Sequence, residues 1–318
     1  MTLFQLNGRP LLSRATLRRS EQVQSDPEAQ AKLWPDGRLL LVDQGGAVPV
    51  RASQLVYQRA GDFADTAPAD AVLLGEQDGT GYWAVRRDRD GGSDRPSWRV
   101  WEGPEPGDEE QWLDLRAVGG LLDDTDAGVF TTAMAVLNWH RIGRFCANCG
   151  TAVDTVRAGW ATVCPNCGRE EYPRTDPAVI CLVHDGEGDN GTHVLLARQP
   201  SWPANRYSVL AGFVEAGESL EDCVVREIGE EVGLAVRDVR YLGNQPWPFP
   251  RSLMIGFTAV ADRSAPLALA DGEIAEARWI SRDQVREALV GGGKAGRFGL
   301  PGGVSIARAM VEAWAEAD

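Results

Sequence analysis

The sequence predicts an α+β protein of two domains with a small metal-binding ribbon between them. In residues 1–130, short apolar stretches alternate with clusters of Gly, Pro and Asp, a pattern typical of strands and turns. Two Cys-x2-Cys pairs follow, and beyond them strand-like runs alternate with amphipathic helical segments. A length of 318 residues is enough for two domains that each bury a core.

The composition is that of an acidic globular protein. The 32 Lys and Arg residues are outnumbered by 46 Asp and Glu, which gives a net charge of −14 at neutral pH. Free-standing binders of nucleic acids or membrane surfaces normally carry a basic face, so the charge argues against both classes. The N-terminus lacks the features of a signal peptide, and the longest apolar run, Ala178–Val183, is too short to span a bilayer. We therefore expect a cytoplasmic protein.

Residues 1–130 form the predicted N-terminal α+β domain. Loops are expected at Arg86–Pro96 and Gly103–Gln111, where charged residues, Gly and Pro accumulate. The domain contains no constellation of catalytic residue types, which favours a structural or interface role. The expected strands are Leu39–Val42, Leu55–Tyr57, Ala71–Leu74, Tyr82–Val85 and Trp98–Trp101.

A linking helix and a four-cysteine ribbon are predicted over residues 131–172. Apolar residues at helical spacing indicate a helix at Val129–Trp139. The pattern Cys-x2-Cys-x14-Cys-x2-Cys can surround one zinc ion per chain with four thiolates, so that no coordination position is left for water. We expect a structural zinc site, with direct contact to a substrate or partner as the alternative. Its ligands are Cys146, Cys149, Cys164 and Cys167.

The domain that follows the ribbon is predicted over residues 173–318. A turn at Asp185–Gly191 separates its first two strands, and a Gly-rich loop at Gly291–Gly303 precedes its last helix. The expected strands are Ala178–His184, His193–Arg198, Tyr207–Leu210, Val239–Leu242, Ser252–Val260 and Ala277–Ile280, and the expected helices are Ser219–Val232, Arg282–Leu289 and Ser305–Glu316.

One of these helices carries a cluster of carboxylates. On a helix, Glu227, Glu230 and Glu231 lie within an arc of about 100°, beside an apolar arc that can pack on a sheet. Exposed like charges at this spacing destabilise a helix, and hard divalent cations such as magnesium or manganese would relieve the repulsion. Arg226 flanks the arc and can hold one carboxylate in place. A solvated acidic face is the alternative, which the glycine-bounded loop before the helix disfavours.

The segment from Gly212 to Leu234 resembles the Nudix box, Gly-x5-Glu-x7-Arg-Glu-(apolar)-x-Glu-Glu-x-Gly-(apolar), and matches it at every specified position. The resemblance implies an α/β/α sandwich with a mixed sheet, and hydrolysis of a diphosphate linked to another moiety. It also implies that Glu227, Glu230 and Glu231 hold the catalytic cations, that Glu218 supports the loop, and that the Ala211 carbonyl is a further ligand. The implied catalytic residues are Glu218, Arg226, Glu227, Glu230 and Glu231. The sequence does not identify which carboxylate is the general base.

A proline-rich aromatic segment follows the box. Three prolines in five residues are expected to exclude a ladder strand and to stiffen the chain, while two aromatic rings offer flat surfaces. Taken alone, such a loop could be ordinary core packing. The segment consists of Gln245, Pro246, Trp247, Pro248, Phe249, Pro250, Arg251 and Ser252.

This loop resembles the Gln-Pro-Trp-Pro-Phe-Pro-x-Ser signature of the NADH pyrophosphatase subfamily, in which a four-cysteine ribbon also precedes the Nudix domain. Members often have Ser where this chain has Asn244. The subfamily resemblance implies cleavage of NAD(H) to nicotinamide mononucleotide and AMP by a homodimer. It further implies that the eight residues Gln245–Ser252 surround the substrate and that Tyr172 and Phe213 sandwich one of its rings. By the same resemblance Glu273 is another cation ligand, with Glu276 as the alternative, and Ala307 contacts the substrate.

The same subfamily removes NAD caps from the 5′ ends of some RNAs, which share the NAD diphosphate. The acidic chain predicts modest RNA affinity at best. The nearest candidates for phosphate contacts are Arg141, Arg144, Arg174 and Arg251.

Two other functions are the alternatives to NAD(H) hydrolysis. One is a Nudix hydrolase of ADP-ribose or dinucleoside polyphosphates, which the proline-rich loop disfavours. The other is a zinc-ribbon RNA-binding module with an inactive Nudix fold, which the complete box disfavours. The isolated Cys181 and Cys223 are expected to be core residues, and His140, His184 and His193 show no ligand spacing and receive no catalytic role.

Overall fold

A computed structural model describes residues 3–88, 107–269, 272–291, 294–295 and 298–317. The expected strand Trp98–Trp101 lies outside these residues, as do most of the two expected N-terminal loops and part of the Gly-rich loop. The chain divides into two units. Unit 1 comprises Met1–Ser13, Asp176–Pro246 and Ser252–Asp318, and unit 2 comprises Arg14–Thr175 and Trp247–Arg251.

Unit 2 is built on short strands and one long helix. A four-stranded sheet has the order β4-β1-β6-β5, a three-stranded sheet the order β3-β2-β7, and the ribbon sheet the order β10-β9-β8. Its elements are α1 Glu21–Ser25, α2 Pro27–Leu33, β1 Arg38–Val42, β2 Val48–Arg51, β3 Gln54–Leu55, β4 Gln58–Arg59, α3 Ala60–Phe63, β5 Val72–Gln77, β6 Thr80–Arg86, β7 Gln111–Leu113, α4 Leu115–Val118, α5 Asp124–Ile142, β8 Asp154–Val156, β9 Ala161–Val163 and β10 Glu170–Glu171.

The long helix α5 begins earlier than the apolar pattern predicted. Asp123 caps it by accepting a hydrogen bond from the Asp126 backbone, and acidic residues in the first turn interact favourably with the helix dipole. Because most residues of α5 are buried, the spacing of its apolar residues is a weak guide to where the helix begins and ends. The core of the four-stranded sheet includes Trp34 and Trp83, whose rings meet edge to face at 5.1 Å.

Unit 1 has a six-stranded mixed sheet with the order β14-β15-β11-β12-β16, and β13 pairs antiparallel with β11. β11 and β15 are parallel, whereas β12 is antiparallel to both of its neighbours. Its elements are β11 Asp176–His184, β12 His193–Arg198, β13 Leu210–Phe213, α6 Leu220–Val232, β14 Val236–Trp247, β15 Ser252–Ala261, β16 Glu276–Ser281, α7 Arg282–Val290, β17 Lys294–Ala295, β18 Phe298–Gly299 and α8 Ile306–Glu316.

Two apolar clusters cover the faces of this sheet. One contains the buried side chains of α6, and the other those of α7 and α8. Successive residues of β11, such as Val179 and Ile180, belong to opposite clusters, as strand geometry requires. The α/β/α sandwich with a mixed sheet is therefore confirmed. None of the helices in the described ranges combines the length and apolarity needed to cross a bilayer.

Several strands differ from their predicted bounds, and the expected strand Leu55–Tyr57 is wrong, because β3 ends at Leu55 and β4 begins only at Gln58. The third strand of unit 1 was expected at Tyr207–Leu210, but β13 begins at Leu210, and Ser208 makes only an isolated bridge to Ala197. The expectation that prolines exclude a ladder strand is also wrong for Pro246, which lies inside β14. β14 is an edge strand of the sheet, and an edge tolerates a residue without an N–H.

The first residues of the chain pack with unit 1, whereas the sequence had assigned them to the N-terminal domain. Phe4 lies in the core of unit 1, and its N–H donates to the buried side chain of Asn190 (2.8 Å). Leu6 packs against the same core. Contacts between residues so distant along the chain leave no local signal in the sequence.

Candidate functional site

The four ribbon cysteines converge as the sequence predicted. Their sulfur atoms all lie within 4.8 Å of one another, and the Cys149–Cys164 and Cys146–Cys167 pairs are 3.4 and 3.6 Å apart. Four sulfurs placed tetrahedrally at about 2.3 Å from a zinc ion would be about 3.8 Å apart, so the arrangement fits zinc. Hydrogen bonds from Thr151 lower the pKa of Cys149, which favours the thiolate that binds metal.

The two isolated cysteines are core residues, as expected. Cys181 lies in β11 and Cys223 in α6, and both side chains are buried against the same apolar cluster. Burial raises the pKa of both thiols, so neither is a reactive nucleophile.

Helix α6 presents the carboxylates of the box. Ser219 caps its first turn by accepting a hydrogen bond from the Asp222 backbone, and Gly233 ends it in the left-handed conformation with a φ of 74°. Buried Val224, Ile228 and Cys223 fix the apolar face against the sheet. The acidic face is thereby held toward a cleft.

Arg226 organises the carboxylates around it. Its guanidinium makes a bidentate pair with Glu218 (2.7 and 2.9 Å) and also bonds to Glu227 (2.9 Å) and Glu230 (3.0 Å). It further donates to the Phe213 carbonyl (2.9 Å), which ties the preceding loop to the helix. These contacts lower the pKa of Glu218 to about 2, so its carboxylate stays ionised. Arg226 thus holds three carboxylates where the sequence predicted one.

Glu231 is the buried member of the acidic face, with 7% of the residue exposed. It accepts a backbone hydrogen bond from Ala211, but its Oε2 has no hydrogen-bond partner among the described residues. Burial, together with the charges of Glu227 and Glu273, raises the pKa of Glu231 to about 8. A buried, unsatisfied oxygen beside two other carboxylates is the chemistry that a hard divalent cation would satisfy.

These groups line an open cleft of about 600 Å³ in unit 1. The cleft brings together Glu227, Glu231 and Glu273 with the backbone at Ala211, as the resemblance implied. Glu230 does not line it and uses one oxygen on Arg226 instead. Within the described ranges only the four cysteines converge to 4.8 Å, so the cleft carboxylates are spread more widely than a closed metal shell.

The structure distinguishes Glu273 from its neighbour Glu276. Glu276 lies in β16, where its carboxylate accepts a hydrogen bond from the Tyr207 hydroxyl (2.5 Å) and pairs with Arg278. Glu273 lies at the cleft and adds negative charge at Glu231. The geometry therefore favours Glu273 as the ligand candidate.

Gly212 leaves the space that Glu227 occupies. A Cβ at this position would overlap the Glu227 carboxylate, so any larger residue must displace it. We expect Gly212→Ala to lower kcat/KM for hydrolysis of the diphosphate substrate about 10²-fold, because small displacements of positioned catalytic groups have effects of that size. Steady-state kinetics on the purified variant measures this.

Gly229→Ala is the matched control, since Gly229 lies on the same helix and a Cβ there meets nothing within 4 Å. It should retain activity and gain about 1 kcal/mol of stability from better helix propensity. Full activity in Gly212→Ala would contradict the positioning of Glu227 by this glycine.

The residues of the proline-rich loop do not act as one surface. Gln245 is fully buried, with 0% exposed, and its side chain accepts from the Leu12 N–H (3.3 Å) and donates to the Val304 carbonyl (3.0 Å). Both ends of the amide are thus engaged inside unit 1, and the structure does not bring this side chain to a substrate. Pro248 is also buried, Pro250 is exposed, and Pro246, Trp247, Phe249, Arg251 and Ser252 are half-buried.

The two aromatic residues of the loop pack within unit 2. The Trp247 and Phe249 rings lie 4.9 Å apart at an interplanar angle of 66°. The Arg116 guanidinium stacks over Phe249 at 3.8 Å and lies 5.6 Å from the Trp247 ring. Sequence reasoning missed Arg116, because no motif connects it with a loop more than a hundred residues away.

The remaining predicted substrate residues differ in their surroundings. Phe213 is 59% exposed at the edge of the cleft in unit 1, and Tyr172 is 52% exposed in unit 2, where Arg157 lies 5.8 Å from its ring. Ala307 packs in the core of unit 1 and does not line the cleft. Arg141, Arg144 and Arg174 are exposed.

Three domain families match the chain in succession. The NADH pyrophosphatase-like rudimentary NUDIX domain matches residues 28–139, the NADH pyrophosphatase zinc ribbon domain residues 144–172, and the NUDIX domain residues 174–297. The three matches confirm the resemblance that the box, the ribbon and the proline-rich loop indicated.

Curated relatives are similar to this chain over nearly its full length or over about half of it. The NAD-capped RNA hydrolase NudC of Mycobacterium bovis (strain BCG / Pasteur 1173P2) is 47% identical over 98% of this chain and 96% of its own. A NudC of Pseudomonas aeruginosa (strain LESB58) is 44% identical over 55% of this chain and 56% of its own. A NUDIX hydrolase structure from Nitrosomonas europaea aligns with 44% of this chain and 79% of its own at 22% identity and a TM-score of 0.36. The chain therefore belongs to the NADH pyrophosphatase and NudC family of Nudix hydrolases.

Proposed function

We propose that this protein hydrolyses the diphosphate bond of NAD(H), releasing nicotinamide mononucleotide and AMP, and that it removes NAD caps from RNA 5′ ends by the same reaction. The observation that carries the proposal is the cleft in which buried Glu231 meets Glu227 and Glu273 beside the box glycine. A complete acidic face disfavours an inactive Nudix fold.

The proposed catalytic cation is Mg²⁺ or Mn²⁺, held by Glu227, Glu230, Glu231 and Glu273 with the Ala211 carbonyl. Carboxylate and carbonyl oxygens are the ligands that these hard ions prefer. When bound, the cation supplies charge neutralisation for the diphosphate and makes water more acidic. The unsatisfied oxygen of Glu231 supports a cation in direct contact with this residue.

The protein's own groups position that chemistry. Arg226 fixes Glu218 and orients Glu227 and Glu230, and Glu218 accepts a hydrogen bond from the Glu215 N–H (3.0 Å), which holds the loop before the helix. Arg226 has its donors occupied by these carboxylates, so its proposed role is to organise the site. The general base is one of the acidic residues, and we assign it to none of them.

Flat rings are proposed to hold the substrate's planar groups. Exposed Phe213 lies at the cleft, and exposed Tyr172 and half-buried Trp247 and Phe249 are the further candidates. Gln245 and Ala307 are proposed to support the substrate site only indirectly, because their side chains lie in the interior.

The exposed ring of Phe213 supplies a test of substrate contact. We expect Phe213→Ala to raise KM for NADH about ten-fold, since stacking of a base on an aromatic ring contributes about 1–3 kcal/mol. The thermal midpoint should stay unchanged because the ring is mostly exposed. Phe213→Tyr, which keeps the ring, should restore KM, and an unchanged KM in Phe213→Ala would exclude stacking there.

A homodimer in the cytoplasm is proposed as the working form, with capped RNA as a second substrate.

Exposed Arg141, Arg144 and Arg174 are the proposed contacts to the RNA phosphates, together with half-buried Arg251. A net charge of −14 predicts that the RNA chain adds little affinity. Replacing these arginines should lower turnover of capped RNA relative to NADH, and an unchanged ratio would refute the assignment.

A substrate panel tests the proposed function. The purified protein is incubated with Mg²⁺ or Mn²⁺ and separately with NADH, NAD⁺, ADP-ribose and NAD-capped RNA, and the nucleotide products are quantified. Nicotinamide mononucleotide and AMP from NAD(H) are expected, with a 5′-monophosphate end on the RNA. Consumption of ADP-ribose without cleavage of NAD(H) would show that the proline-rich loop does not select NAD(H).

A further inference from the structure

The proline-rich loop needs hydrogen-bond donors from elsewhere. Pro246, Pro248 and Pro250 have no N–H, so only Trp247 and Phe249 can donate from this stretch of backbone. One of those donors is used internally, since the Phe249 N–H bonds to the Trp247 carbonyl (2.7 Å). The carbonyls of the loop are therefore in excess, and buried carbonyls require partners.

Asn138 on helix α5 supplies a donor. Its Nδ2 donates to the Pro248 carbonyl (3.0 Å) and lies 3.5 Å from the Pro250 carbonyl. One side chain thus spans the turn that carries the Phe249 ring. All these residues belong to unit 2.

Arg86 fixes which way the Asn138 amide points. Its Nη2 donates to Oδ1 of Asn138 (3.1 Å), and its Nη1 donates to the carbonyls of Asp43 (2.8 Å) and Gln44 (3.1 Å). A guanidinium has no acceptor, so the amide oxygen must face Arg86, and the NH₂ group must face the proline carbonyls. The orientation of Asn138 is therefore set by the end of strand β6.

We propose that Asn138 is a positioning residue for substrate recognition, through which unit 2 holds the Trp247–Phe249 turn in its binding geometry. The proposal rests on the proposed function, in which these rings contact the substrate. Arg116 stacks on Phe249 from the same unit, so the turn is held by one hydrogen bond to its backbone and one cation–π contact to its ring. Through Asn138 and Arg116, unit 2 thereby acts on substrate affinity.

Asn138→Asp separates the two halves of this contact. The variant keeps an oxygen for Arg86 but replaces the donor with a second acceptor facing the Pro248 carbonyl. Asn138→Ala removes both. We expect each variant to raise KM for NADH about five- to ten-fold, the effect of losing a hydrogen bond to a buried carbonyl. The kcat at saturating metal and substrate should stay within about two-fold, because the cleft carboxylates are untouched.

Thr132→Val is the matched control on the same helix. Thr132 accepts a hydrogen bond from Arg19 (2.7 Å) and is buried, so this variant also loses a hydrogen bond of α5 but leaves the loop alone. It should lower the thermal midpoint and leave KM unchanged. A purely structural role of Asn138 would reduce the active fraction, which lowers apparent kcat at constant KM.

Steady-state kinetics with NADH and thermal unfolding of the wild type and the three variants decide the matter. Raised KM in both Asn138 variants with normal KM in Thr132→Val supports the proposal. Normal KM in the Asn138 variants, or a fall in kcat alone, overturns it. Failure of the wild type to release AMP from NADH would instead refute the proposed function.

Discussion

Replacing Glu231 with Gln is expected to lower turnover of NADH about 10³-fold or more. The substitution preserves shape but removes the negative charge that a divalent cation requires, and cation stabilisation of the transition state contributes several kcal/mol, at about 1.4 kcal/mol per factor of ten. Glu231 lies almost fully buried between Glu227 and Glu273, so no solvent-exposed group can replace it. Steady-state assays with saturating Mg²⁺ or Mn²⁺ measure the loss.

The same variant should not lose stability in the absence of metal. Burial and the charges of Glu227 and Glu273 raise the pKa of Glu231 to about 8, so at neutral pH folding of the metal-free protein must protonate a carboxylate that is ionised in the unfolded chain, and Gln removes that cost. Thermal unfolding of the zinc-loaded protein without added Mg²⁺ or Mn²⁺ should give a midpoint equal to or above that of the wild type, whereas added Mg²⁺ or Mn²⁺ should stabilise only the wild type. A variant that keeps its activity would contradict the metal assignment, and a variant with a lower midpoint than the wild type under these conditions would contradict the account of its burial.

Replacing Cys164 with Ser is expected to abolish zinc binding and to unfold the ribbon. Cys164 is the most buried of the four cysteines, and its sulfur lies 3.4 Å from that of Cys149. Structural zinc contributes about 10–16 kcal/mol of binding free energy in zinc-finger peptides, a large stabilisation for so small a sheet. We expect zinc content to fall to a small fraction of the wild-type value and the thermal transition of unit 2 to move down.

Cys181→Ala is the control for this prediction. Cys181 is buried in β11 of the other unit and takes no part in the cluster, so the variant should bind as much zinc as the wild type. Elemental analysis of both purified variants is the measurement. Normal zinc in Cys164→Ser, or loss of zinc in Cys181→Ala, would show that the metal is held elsewhere.

Features with a local signal were predictable from the sequence. Helix α6 begins one residue after its predicted start and ends where predicted, because a capping serine and a left-handed glycine mark its ends. The convergence of the ribbon cysteines was predictable because each Cys-x2-Cys turn places two sulfur atoms on the same side of the chain. The placement of Glu227 and Glu231 on one face follows from helical periodicity alone.

Features that depend on distant contacts were not predictable in this way. Gln245 belongs to a signature that indicates substrate binding, yet it is buried between Leu12 and Val304, which lie far apart in the sequence. Neither Arg116 nor Asn138 belongs to a sequence motif, and only their contacts with the proline-rich loop in the structure identify them as its supports. Pro246 was misread because edge position is a property of the whole sheet.

Hydrolysis of NAD⁺ in ¹⁸O-labelled water tests the central claim most directly. The cleft is proposed to direct water to the diphosphate, so each molecule cleaved should yield nicotinamide mononucleotide and AMP, with one ¹⁸O atom in the phosphate of one product. Mass spectrometry of the separated products identifies the position of the label, and Glu231→Gln provides the blank. Release of nicotinamide with the label in ADP-ribose, or unlabelled phosphates in both nucleotides, would contradict hydrolysis of the diphosphate at this site.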